Sequence, residues 1–188
     1  KSQWAESVAH FDKMLDFWNV DNSPNRLLVL IKFSKNAISI MTGFYFLFKR
    51  RKSPSQRDNE ILDILYREGS ALFFLNPNRL IFLGLDTFKR AYKLNLTESP
   101  QALNAFIGLA GLFSAAGLFP NLSRKLLAIS TSNIDPNDIQ NLMAYEMVNT
   151  AHNLYWGNWD KISEFKKSLV DDALKKGEFW NTANYIYS

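Results

Sequence analysis

Residues 99–120, SPQALNAFIGLAGLFSAAGLFP, hold a helix start, a helix body, a helix stop and a second start in one run. Ser99 can accept from first-turn amides, and Pro100 suits the first helical position, where its missing N–H is a donor the helix could not use. Gly117 stops the helix, and Pro120 opens the next one. Between them, Ala102, Ala105, Gly108, Ala110, Gly111 and Ala115 make an unusually small-sided helix. Glycine costs up to about 1 kcal/mol in a helix interior, so its use here predicts a neighbouring helix at close approach.

The same punctuation extends outward. Ser23-Pro24, Ser53-Pro54, Asn76-Pro77 and Asp135-Pro136 repeat the cap-then-proline pattern, Phe119-Pro120 lacks the cap residue, and no proline falls inside an apolar run. The prolines and glycines predict helices over 3–18, 24–48, 56–75, 77–94, 100–116, 120–129, 136–156 and 159–175, with another starting near 178. In the first, Trp4, Val8, Phe11, Leu15 and Trp18 recur at helical spacing. No segment alternates with period 2, so the fold class is all-α with no sheet.

The tight turns Leu75-Asn76-Pro77, Gly117-Leu118-Phe119-Pro120 and Gly157-Asn158 recur at about 40 residues, the spacing of stacked helix pairs. Pairing the helices gives 3–48, 56–94, 100–130 and 136–176, with a further pair starting at 178, in one helical-repeat domain spanning 1–188. The chain starts at Lys1, and Glu178 to Tyr187 reads as a helix in progress. Both features suggest an excised piece of a longer protein.

With 47% hydrophobic residues, including 15 Phe, 7 Tyr and 5 Trp, the chain can bury a core and is not of the disordered class. A net charge of +4 over 188 residues is too mild and too dispersed for a nucleic-acid surface. The lack of cysteine excludes disulfides and thiolate chemistry and fits a reducing, cytoplasmic setting. The sequons at Asn95 and Asn121 read as coincidental, with no secretory signal in the chain. Leu27–Phe48 is long and apolar, and Lys49-Arg50-Arg51-Lys52 follows it, as after a membrane span. Lys32, Ser34, Lys35 and Asn36 interrupt its middle, however, and each charge there costs roughly 2.5–3.5 kcal/mol on insertion scales. The stretch is read as a buried helix of a protein without a membrane anchor.

The run Ala151-His152-Asn153-Leu154-Tyr155-Trp156-Gly157-Asn158-Trp159-Asp160-Lys161-Ile162-Ser163-Glu164-Phe165 resembles the turn region of a tetratricopeptide repeat. Gly157 and Trp159 match that motif's turn glycine and following aromatic. Ile162 stands where a small alanine is expected and Lys166 where an aromatic is common, so the repeat is degenerate. The order of elements over roughly Gln56 to Ser188 is similar to helical-repeat regions of large bacterial signalling proteins, which accompany ATPase, nucleotide-cyclase or kinase modules. The resemblance implies antiparallel helix pairs stacked as an α-solenoid, a right-handed superhelix. It also implies a scaffold whose catalytic domains lie elsewhere.

No constellation points to catalysis. His10 and His152 have no metal-ligand spacing. A di-metal helix would need Glu-x-x-His, and position 149 is Asn. Asp171-Asp172 is a lone acidic pair, and Gly108, Gly111 and Gly117 form no phosphate loop. No cofactor or metal is expected, and the basic turn Lys49–Lys52 with Arg57 reads as solvated. On the 136–156 helix, Glu146, Asn149, His152 and Asn153 stack opposite Ala144, Met147, Ala151 and Leu154, and the polar ladder ends at Trp156. Amides beside an aromatic can grip an extended peptide, so these five residues are expected to face an open, partner-binding groove. The function expected is a non-catalytic protein-interaction or regulatory scaffold of a multidomain signalling protein. Its partner would be a protein, a peptide or another domain of the same chain. The alternative is a small-molecule sensor with an aromatic-lined pocket.

Overall fold

The computed structural model describes residues 2–20, 51–162 and 164–187, and among them the secondary structure is helical, with no strand. The helix expected over 24–48, with its apolar stretch Leu27–Phe48, lies outside the described residues. Among the described residues no helix is long and apolar enough to cross a membrane. Backbone contacts divide the chain into two compact units, Lys1–Ala105 and Phe106–Ser188.

In the first unit, α1 (Ser2–Phe17), α2 (Gln56–Leu75) and α3 (Pro77–Ala91) follow one another, and α2 packs against both of the others. Val8 and Leu15 of the predicted stripe are buried among Ile61, Leu65, Leu72 and Leu83, with Phe11 and Trp18 packed alongside, while Trp4 is exposed. α1 ends at Phe17, one residue short of the expected 18, and its chain closes on Asn19. Asn19 adopts φ 53°, and the Val20 amide donates to the Leu15 carbonyl at 2.9 Å. Asn76 serves two helices: its N–H donates to Leu72 O of α2 at 2.8 Å, and its side chain accepts from Arg79 N of α3 at 3.1 Å. The turn thereby shrinks to one residue. Where α1, α2 and α3 meet, Arg79 binds Asp12 of α1 and, at 2.5 Å, the fully buried Glu68 of α2.

The sequence places the cap of α2 two residues early. Ser55, not Ser53, accepts from Asp58 N at 3.1 Å, and Ser55 N donates to the Asp58 carboxylate at 3.0 Å, closing a capping box. Lys52 of the basic turn pairs with Asp58 at 3.0 Å, and Arg57 lies over the Trp18 ring while donating to Trp18 O. α4 (Pro100–Ala115) starts as expected: Ser99 Oγ accepts from Ala102 N at 3.1 Å.

The second unit holds the end of α4, then α5 (Pro120–Thr131), α6 (Ile139–Tyr155), a 3-10 turn (Trp159–Lys161), α7 (Lys167–Lys175) and α8 (Phe179–Tyr187). α6 is central and packs against α5, α7, α8 and the 3-10 turn. The close approach predicted for α4 occurs at Gly111, where a Cβ would come within 3.2 Å of Val148 of α6. It does not occur at Gly108, which is exposed.

Two boundaries differ from the sequence reading. Asp135-Pro136 forms a turn instead of a helix start: Asn137 N donates to Asp135 Oδ1 at 2.8 Å, and Asp138 becomes the cap of α6. The helix expected over 159–175 is broken after the 3-10 turn, where Ile162 is extended, and resumes only at Lys167. Gly117, Gly157 and Gly177 all have positive φ. At Gly157 the reason is explicit: Asn158 N donates to Asn153 O at 2.8 Å, a closure that demands a left-handed residue between them.

Candidate functional site

The polar ladder on α6 is interior. Glu146, His152 and Asn153 are buried and Asn149 and Trp156 half-buried, whereas Leu154 of the supposed inner stripe is exposed. The open groove expected along these residues is therefore not what they face. Helix periodicity distinguishes the two faces of α6 but not which is inside, and α6 has neighbours on several sides. The polar side chains reach across to those neighbours.

Each rung has its own task. On the α4–α5 side, His152 Nδ1 lies 2.9 Å from Ser114 Oγ and 3.1 Å from Ser123 Oγ. The two hydroxyls are 2.8 Å apart, and both contact the Ala110 carbonyl at 2.9 Å. All three side chains are buried, His152 to 2% exposure. Burial, reinforced by the Arg124 guanidinium, holds the imidazole below its ordinary pKa. On the other side, Asn153 Nδ2 donates to Lys161 O at 3.2 Å, and Lys166 Nζ donates to Glu146 Oε1 at 2.6 Å. The hydrogen bond to Glu146 pushes the Lys166 ammonium upward against the opposing effect of burial. The Lys166 amide donates to Tyr185 OH of α8 at 3.1 Å, and Phe165 stacks on the Tyr185 ring at 5.4 Å.

These contacts explain the interrupted helix. The Lys161 carbonyl and the Lys166 amide trade helical hydrogen bonds for side chains of α6 and α8. Aromatic rings cluster around this connection: Tyr155 at the end of α6, Trp159 of the 3-10 turn and Phe165 are more than half exposed, as is Phe179 at the start of α8. The sequence reading chose the anchoring polar residues as the binding set and passed over these rings. The signal available was the aromatic density of 155–165, which was absorbed into the repeat motif.

Among the described residues no group of acidic, histidine or cysteine side chains could hold a metal ion. Ser114 and Ser123 approach a histidine, but the cluster is sealed from solvent, and a substrate carbonyl could not reach either hydroxyl. Comparison of the chain with protein-family models, with curated proteins and with solved structures gives no match.

Proposed function

We propose that this chain is a non-catalytic protein-interaction or regulatory scaffold of a larger signalling protein. It would be built of tetratricopeptide-like helix pairs and would act in the cytoplasm on a protein or peptide partner. The observation that carries the reading is the aromatic connection between α6 and α7. Tyr155 at the end of α6 and Trp159 and Phe165 beyond it are exposed, while Asn153 holds the Lys161 carbonyl and Glu146 the Lys166 side chain. Large aromatics give interfaces much of their binding energy, and holding them in place beforehand lowers the ordering cost of association. The glycine-closed turns at Gly117, Gly157 and Gly177 support the helix-pair organisation. Partner recognition is thus assigned to the rings in place of the ladder Glu146, Asn149, His152, Asn153 and Trp156, of which Asn153 and Glu146 hold Lys161 and Lys166.

The test compares affinity capture by the parent chain and by a Tyr155→Ser, Trp159→Ser, Phe165→Ser variant of matched helicity. A partner held by the parent and lost by the variant is expected. Identical sets held by both would remove the reading.

A further inference from the structure

The cluster of His152 with Ser114 and Ser123 joins three helices of the second unit, α4, α5 and α6, through a single titratable side chain. We propose that it is a proton-operated latch: closed while His152 is neutral, and parted when His152 takes up a proton. The inference is independent of the partner-binding reading, since it concerns how these helices are held together.

Proton placement carries the argument. Both serines contact the Ala110 carbonyl, so they can donate there and accept from Nδ1–H, or one can turn its hydroxyl onto a bare Nδ1. The Nδ1–H tautomer is accommodated, because its bare Nε2 requires no acceptor, whereas the Nε2–H tautomer would already lack one. The imidazolium is different, because it must donate from both nitrogens. Nε2 is buried and has no hydrogen-bond partner among the described residues. A protonated ring would therefore bury a charged N–H with no acceptor, an expensive arrangement.

The neighbouring charges offer no compensation. α4 contributes no ionisable side chain, and α5 contributes two cations, Arg124 and Lys125. Arg124 is the charge that bears on the ring, and it opposes protonation. On α6 itself the charged side chain is Glu146, which is engaged by Lys166, and the remaining titratable groups are the phenols Tyr145 and Tyr155. The 3-10 turn carries Asp160 and Lys161, and α7 carries Lys167, Asp171, Asp172 and Lys175, all exposed. Tyr185 of α8 is occupied with the Lys166 amide.

The direction follows from linkage. The folded protein holds His152 below the unfolded value near 6.5, so the unfolded chain binds the extra proton first. Stability contributed by the latch is fully present above about pH 6.5. It is lost as the pH falls toward the folded midpoint and levels off below it. Each unit of separation between the two midpoints is a loss of about tenfold in the folding constant.

The test is a set of urea titrations of the full chain between pH 7.5 and 5.0, on the parent, His152→Gln and His10→Gln, with the His152 ring titrated by NMR in the parent. His10 is exposed on α1 and serves as control. The parent and His10→Gln are expected to lose stability as the pH falls across that window. His152→Gln is expected to lose far less, and the ring to titrate below 6.5. A ring midpoint at or above 6.5, or a His152→Gln chain as acid-sensitive as the parent, would overturn the proposal. If His152→Gln does not fold, the NMR midpoint in the parent decides alone.

Discussion

Replacing Arg79 by methionine keeps most of the side-chain stem but deprives Glu68 of the guanidinium that neutralises it. Glu68 is fully buried on α2, and Arg79 also holds Asp12 of α1, so one substitution acts on three helices. Removing one partner of a buried ion pair costs about 3–5 kcal/mol. Arg79 retains 25% of its side-chain exposure and Asp12 36%, so water screens part of the interaction, and the low end, about 3 kcal/mol, is expected. That is a fall of about 150-fold in the folding constant. With a urea slope of about 2 kcal/mol/M, the midpoint should move down by about 1.5 M. The assay is urea unfolding followed by circular dichroism, with hydrogen exchange locating the loss in α1–α3. A Glu68→Gln, Arg79→Met double variant removes the buried charge along with its partner and should recover most of the loss. A single-variant cost under about 1 kcal/mol, or a double variant no more stable than the single, would refute the reasoning.

Gly108→Ala places a methyl group in open space on an exposed helical position and should stabilise by about 0.5–1 kcal/mol. Gly111→Leu drives a side chain into Val148 and should destabilise by about 1–3 kcal/mol; thermal unfolding of the two variants gives the opposite signs. Ser55→Ala opens the capping box of α2 and should cost about 1 kcal/mol in urea unfolding. Lys166→Met releases the connection from Glu146, and glutamyl-endopeptidase cleavage after Glu164 should become several-fold faster; an unchanged rate would mean that the ion pair does not restrain the segment.

The helical class and most helix boundaries were legible because their signals are local. Pro77, Pro100 and Pro120 stand at the first position of their helices, and Gly117, Gly157 and Gly177 end theirs. A proline marks a boundary without saying on which side the cap lies. Pro54 and Pro136 therefore sit one to three residues before helices capped by Ser55 and Asp138. The first helix ends within a residue of the expected position, with the left-handed Asn19 closing it where other helices use glycine. The candidate site was legible only as a stripe. Glu146, His152 and Asn153 are correctly grouped by spacing, but their partners Lys166, Ser114 and Lys161 come from other elements, which helical period cannot assign.

A polar face turned inward has a consequence for the surface. If α6 had presented an apolar stripe to the 161–166 segment, the backbone there would have needed its own hydrogen bonds, and a continuous helix from Trp159 to Lys175 would have supplied them. Such a helix would turn Trp159, Ile162 and Phe165, spaced by three, toward one packed face. Asn153 and Glu146 instead bind the segment through Lys161 O and Lys166 Nζ, and Tyr185 takes the Lys166 amide. Phe165 is then stacked on Tyr185 and still more than half exposed. The buried polar residues and the exposed rings are thus two sides of one arrangement, in which interior hydrogen bonds determine what the surface displays.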